Sequence, residues 1–135
     1  MIEVRYIAIA SMLCVVLLQM GSSDADLAQF CGQIVRYTGR GCLNYNNYGC
    51  WCGNGGSGPT LDGVDRCCKT HDLCYIRNSG CNPKWRWYPR RGGQCTGSRG
   101  SCGYNVCKCD EDAARCFARN SYNSGYKGAR SKGRC

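Results

Sequence analysis

Histidine occurs once in this sequence, at position 71, and phenylalanine only twice. Any chemistry that needs a neutral base near pH 7 must therefore use His71 or do without histidine. Ile, Leu and Phe are sparse and glycine is abundant, so a short chain of this kind cannot bury enough apolar area to hold itself together by burial alone. Acidic residues are outnumbered, 9 against 18 basic ones, for a formal net charge of +9. Such an excess draws a protein to anionic surfaces (acidic lipid, heparin-like polymer or nucleic acid), and charge alone does not choose among them. No apolar run reaches the ~20 residues of a confident membrane span. The run from Tyr6 to Leu18 follows a short N-terminal stretch and precedes Gly21-Ser22-Ser23. That order reads as a secretory signal peptide over residues 1–25, cleaved between Gly21 and Asp26. The competing reading is a signal anchor that stays attached. Residues 26–135 are then a single domain.

Cysteine is what this chain has in quantity. Cys14 leaves with the leader, and the other 14 of the 15 cysteines allow seven disulfides. That density belongs to an oxidising, extracellular compartment, so the protein is expected to be secreted. Crosslinks would supply stability by restricting the unfolded chain. Zinc is the alternative use of clustered thiolates, but the spacings lack a repeated Cys-x-x-Cys signature.

The chain is organised around Cys67-Cys68-Lys69-Thr70-His71-Asp72-Leu73-Cys74-Tyr75. As a helix, this segment puts Cys67 and Cys74 two turns apart on one face, while His71 and Asp72 project in different directions and can serve neighbouring sites. The helix is expected from Leu61 or Val64 to Arg77, capped by Thr60 or Asp62 and ending near Ser79-Gly80. Asp65 is expected outside the site, in an ordinary salt-bridge network. A second helix is expected over Cys107–Asn120, where Cys109 and Cys116 repeat the spacing of seven. Two helices so spaced invite an antiparallel pair, with Asp110 pointing across the gap toward His71.

Upstream, Leu27, Phe30, Ile34 and Tyr37 form the stripe of an N-terminal helix ended by Gly39 and Gly41, packed on the core with its outer end lining an apolar channel. From Cys42 to Gly58 the sequence is aperiodic and dense in Asn and Gly, hence loop. Its glycines let backbone carbonyls turn toward a shared point, as a hard cation requires, although glycine-rich, disulfide-pinned loops also occur without one. It is not a phosphate loop, because no Gly-Lys-Ser or Gly-Lys-Thr follows. Cys81 to Gly93 reads as an extended piece or short hairpin bracketed by Pro83 and Pro89. Its alternation of Trp85, Arg86, Trp87, Tyr88, Arg90 and Arg91 suits a membrane interface, equally suits single-stranded nucleic acid by stacking and phosphate contact, and leaves room for a ring or two in the core. Gln94 to Val106 is expected as short irregular strands or a small hairpin. The basic tail from Ser121 to Arg134 is tied down by Cys135.

Three of these stretches carry a family resemblance. Cys67 to Tyr75 resembles the active-site signature of the secreted phospholipases A2, Tyr48 to Gly56 resembles their calcium loop, and Cys107-Lys108-Cys109-Asp110 resembles their third signature. The motifs occur in the right order across nearly the whole mature chain. The resemblance implies a mainly α, small disulfide-rich domain. Its parts would be two long antiparallel helices, an N-terminal helix, a calcium loop and a short two-stranded β-wing. It implies His71 as general base and Asp110 as the residue that holds the ring's tautomer. Ca2+ would be bound by Asp72 and by the carbonyls of Trp51, Gly53 and Gly55. The implied reaction is hydrolysis of the sn-2 ester of glycerophospholipids to a fatty acid and a lysophospholipid. The implied disulfides are Cys52–Cys68, Cys67–Cys116, Cys74–Cys109, Cys81–Cys102 and Cys95–Cys107; Cys50 would then bond Cys135, which leaves Cys31–Cys42 by elimination, a pair outside the common family pattern.

Some positions depart from the family pattern. Trp51 stands where tyrosine is usual, but only its carbonyl would ligate. The interval from Cys74 to Cys81 is short, and the loop from Gly39 to Tyr48 is compressed. Tyr75 should contact Asp110, with Tyr88 a candidate for the second tyrosine. The rival reading is a catalytically weak or silent phospholipase-like toxin that binds membranes or a receptor; the intact His71, Asp72 and Asp110 argue against it. The expected partner is a phospholipid surface, preferably anionic, with a membrane receptor as a further candidate and nucleic acid disfavoured.

Overall fold

The computed structural model describes residues 23–135, and the expected leader up to Ser22 lies outside the described residues. The described chain holds three α-helices: α1 (Ser23–Thr38), α2 (Gly63–Arg77) and α3 (Cys102–Ala118). A two-stranded antiparallel wing, β1 (Arg90–Arg91) and β2 (Gln94–Cys95), pairs Arg90 with Cys95 and Arg91 with Gln94. The turn between them needs Gly92, whose φ is +59°. None of the described helices is long and apolar enough to cross a membrane.

Disulfides set the relation of α2 to α3. Cys67 pairs with Cys116 and Cys74 with Cys109, each with a Cα separation of 5.7 Å, so one helix ascends as the other descends. The pairs Cys52–Cys68, Cys81–Cys102 and Cys95–Cys107 tie the loop and the wing to this frame. Cys50–Cys135 is also formed, and Cys31–Cys42, expected only as the pair left over, completes the seven.

Helix α1 ends where Gly39 turns to a φ of +67° and returns its N–H to the Val35 carbonyl at 2.9 Å. It packs across α3, burying Ile34 against the cluster of Tyr45, Val64, Ala114 and Phe117, where Tyr45 stacks on Phe117 at 4.4 Å. The Tyr37 hydroxyl binds both the Gly93 carbonyl and Glu111, linking α1 to the wing and to α3. Glu111 is itself buried and is held by Arg115 and Lys108. A second small cluster, Tyr88, Val106 and Cys107, sits under the wing.

One expected boundary moves. Helix α3 begins at Cys102 rather than Cys107, because the Ser101 side chain accepts from the Tyr104 N–H and the first turns bury Val106. Residues 102–106 are therefore helix and not irregular strand. Helix α2 starts behind an Asp62 cap, one of the two expected alternatives, and ends at Arg77 as expected, closed by Asn78 and not by a glycine. The Asn78 backbone N–H reaches the Cys74 and Tyr75 carbonyls, and its side-chain amide reaches the Cys74 carbonyl at 2.9 Å.

Candidate active site

Cys74 and Cys109 join α2 and α3 beside the two residues that matter most. One turn below Cys74 along α2 stands His71, and directly after Cys109 on α3 stands Asp110. The His71 Nε2 lies 2.7 Å from Asp110 Oδ1. Asp110 is fully buried and also accepts from the Tyr75 hydroxyl on Oδ1 and the Tyr88 hydroxyl on Oδ2, each at 2.7 Å. A buried carboxylate is costly unless it is saturated with donors, and this one is. With Asp110 accepting at Nε2, the proton belongs on that nitrogen and Nδ1 keeps its lone pair. The imidazole plane is fixed by Phe30 of α1, stacked on it with centroids 4.4 Å apart and planes 8° from parallel. Tyr75 closes on the ring at 4.2 Å.

Asp72 follows His71 on α2, one helical turn after Cys68, whose disulfide partner Cys52 lies in the glycine-rich loop. Lys69 Nζ lies over the Trp51 ring at 5.0 Å, a second link between α2 and the loop. The Asp72 carboxyl is half-buried, and desolvation pushes its pKa above the usual value, opposed by the positive fields of His71, Lys84 and Arg130. Among the described residues Asp72 has no salt-bridge partner.

The loop is shaped by a residue expected elsewhere. Asp65 does not belong to a surface salt-bridge network: it is fully buried. Its carboxylate accepts from the backbone N–H groups of Cys50 at 2.9 Å, Trp51 at 2.8 Å and Leu61 at 2.9 Å. Those peptide groups have no regular secondary structure to satisfy them, and the carboxylate does so. A Cβ at Gly49 would sit 2.3 Å from the Asp65 carboxyl carbon, so the loop must enter on glycine. Further on, Gly53 and Gly55 take φ values of +104° and +72°, which turn the chain through conformations that side chains resist. The Gly55 carbonyl accepts from Arg130 Nη1 at 3.2 Å. Tyr48, at the loop's start, donates to the Asp62 cap, and burial followed by that bond raises its pKa. A desolvated carboxylate without a protein counter-ion, beside a loop of carbonyl oxygens, is a donor set that suits a hard divalent cation.

The family model described as phospholipase A2 matches residues 27–127 of this sequence. The chain belongs to the phospholipase A2 family. It is 44% identical over 108 residues to the acidic phospholipase A2 PLA-1 of Eristicophis macmahoni, a match that covers 76% of this chain and 89% of that protein. As a phospholipase A2, the chain is a hydrolase of phospholipids, and its family works at phospholipid surfaces and is generally calcium-dependent. Two features of this phospholipase's site escaped sequence reasoning. The role of Asp65 had one available signal, the i, i+3 pairing of Asp62 and Asp65 at a helix start, where one acid caps and the other tucks under the preceding loop. The reach of Arg130 into the loop had none.

Proposed function

We propose that this phospholipase A2 cleaves the sn-2 ester of glycerophospholipids by water attack, with His71 as general base and calcium as cofactor. The observation that carries the reading is the 2.7 Å contact between His71 Nε2 and a buried Asp110 that two tyrosines hold in place. Nδ1 then takes a proton from water as the water oxygen bonds to the ester carbon. Asp110 stabilises the imidazolium so formed without itself taking the proton. When the carbon–oxygen bond breaks, Nδ1 returns the proton to the departing glycerol oxygen, giving a lysophospholipid and a fatty acid. No covalent enzyme intermediate is needed. Asp72 and the carbonyls of Trp51, Gly53 and Gly55 would hold calcium, with waters completing the shell. Those residues would thereby supply, through the ion, polarisation of the ester carbonyl and stabilisation of the developing oxyanion. One carboxylate among neutral ligands supports weak, extracellular-grade affinity, on the order of 10⁻⁴ to 10⁻³ M.

The membrane partner rests on a second observation. Trp85 and Trp87 are each 62% exposed, between basic neighbours Lys84, Arg86 and Arg90. Rings of this kind insert at headgroup depth while the cations meet lipid phosphate. This wing supports docking on anionic lipid, and it would serve a toxin that binds a membrane or receptor equally well. The intact His71, Asp72 and Asp110 favour the enzyme.

Fatty-acid release from anionic phospholipid vesicles, with and without calcium, tests the reading. Wild type should require calcium, and Asp72→Ala should lose that response. A calcium-independent rate shared by wild type and variant would overturn the proposal. Replacing Trp85 and Trp87 with Ala should weaken vesicle binding and spare hydrolysis of a dispersed short-chain substrate; equal loss on both would point to damaged packing instead.

A further inference from the structure

The tail beyond Tyr126 carries Lys127, Arg130, Lys132 and Arg134, and among the described residues none of the four forms a salt bridge. They meet peptide oxygens instead. Lys127 Nζ donates to the carbonyls of Leu43, Asn44 and Asn46. Lys132 Nζ donates to the Lys127 carbonyl at 2.8 Å, and Arg134 Nη1 to the Gly125 carbonyl at 3.3 Å.

Arg130 differs in its target, which is the candidate calcium loop. Its Nη1 donates to the Asn54 carbonyl at 2.6 Å and to the Gly55 carbonyl at 3.2 Å, and its Nη2 to the Cys52 carbonyl at 2.9 Å. A Cβ on Gly53 would lie 3.3 Å from the same Nη2. The Arg130 Nε is buried with no hydrogen-bond partner, so the group is held by loop oxygens and not by a carboxylate. Its positive field also reaches Asp72.

We propose that Arg130 is a resident cation of the calcium loop that competes with the divalent ion, so that the tail sets how much calcium the enzyme needs. The proposal rests on the calcium reading given above. One of the carbonyls assigned to calcium, that of Gly55, already accepts a hydrogen bond from the guanidinium, so a fixed positive charge would share that oxygen with the ion. Like charges at that spacing repel, and partial burial strengthens the repulsion. Arginine has no neutral form to escape into at physiological pH. Calcium must bind against the guanidinium or push it out, and either route lowers the apparent affinity. The three hydrogen bonds also order the loop beforehand, but they act on neutral carbonyls, whereas the repulsion acts on a full divalent charge. Arg130 lies beyond residues 27–127, the span matched by the family model, so the device belongs to this chain's tail.

The test is calorimetric titration of calcium chloride into the chelator-stripped full protein, as wild type, Arg130→Gln and Arg130→Lys. Arg130→Gln keeps an amide donor and removes the charge; it should bind calcium about tenfold more tightly, which corresponds to about 1.4 kcal/mol. Arg130→Lys keeps the charge and should stay within about twofold of wild type. Near-UV circular dichroism checks that each variant is folded, and Asp72→Ala in each background shows that the heat comes from this site. Unchanged or weaker binding by Arg130→Gln overturns the proposal, as does equal tightening by Arg130→Lys. Binding by Arg130→Gln where wild type shows none supports it in its strongest form. Absence of binding in all forms overturns the calcium reading and this proposal with it.

Discussion

On the helix side of the site a buried carboxylate, Asp110, receives three side-chain donors, from His71, Tyr75 and Tyr88. On the loop side a second buried carboxylate, Asp65, receives three peptide donors, from Cys50, Trp51 and Leu61. Each satisfies the rule that a buried charge must be saturated. Yet Asp110 acts on a ring that can change its protonation, whereas Asp65 acts on backbone that cannot. In the proposed mechanism one carboxylate tunes the reacting group, while the other gives a loop its shape. Disulfides pin both regions, but the turns of the second are shaped by hydrogen bonds to single side chains, Asp65 and Arg130. The two halves should therefore fail in different ways.

The largest separation is expected from His71→Gln. Fatty-acid release should fall by about 10² to 10⁴-fold, the range for losing a general base, while calcium titration stays as in wild type. Loss of calcium binding in that variant would break the division between the halves. Asp65→Ala comes next. It strands three buried N–H groups and should lower unfolding free energy by about 3 kcal/mol in denaturant melts, with calcium binding weakened in parallel. Full calcium affinity in a destabilised Asp65→Ala protein would mean that the loop does not need its anchor. Tyr88→Phe sharpens the helix side: it removes one of three donors to Asp110, so kcat should fall a few-fold, about 1 kcal/mol, with KM unchanged.

Glu111, next to Asp110 on α3 but held by Arg115 and Lys108, gives the smallest effect and serves as a reference. Burial pushes its pKa up, but Arg115 and Lys108 outweigh burial and leave it below the ordinary glutamate value. A carboxyl depressed on folding stabilises the protein above its unfolded pKa, about 4.3, and loses that contribution as pH falls through the lower folded value. Glu111→Gln should thus cost about 1 kcal/mol at pH 7. The gap from wild type in denaturant melts should close below about pH 4.

How much of this was legible in the sequence follows from the range of each interaction. The repeat of seven in Cys67, Cys74, Cys109 and Cys116 is local and marks two helices, but it fits either relative direction. Which cysteines join, and so the facing of His71 and Asp110, is supplied by the family resemblance. Tyr88 could be named only as a candidate, because its reach to Asp110 depends on the path of the wing between Cys81 and Cys95. The start of α3 was hidden by Gly103 and Asn105, weak helix formers whose propensity yields to the Ser101 cap and to Val106 burial. Asp65 was misread because a charge at i+3 from another acid looks like solvated surface until the loop above it is known.

The closeness of Gly49 to Asp65 has a consequence for heredity. With only 2.3 Å between a would-be methyl and the carboxyl carbon, no substitution at 49 can be accepted while the aspartate remains. Shortening the acid to make room would abandon the peptides that it gathers. The two codons are thus locked to each other, and a library randomised at position 49 alone should return glycine among its folded members.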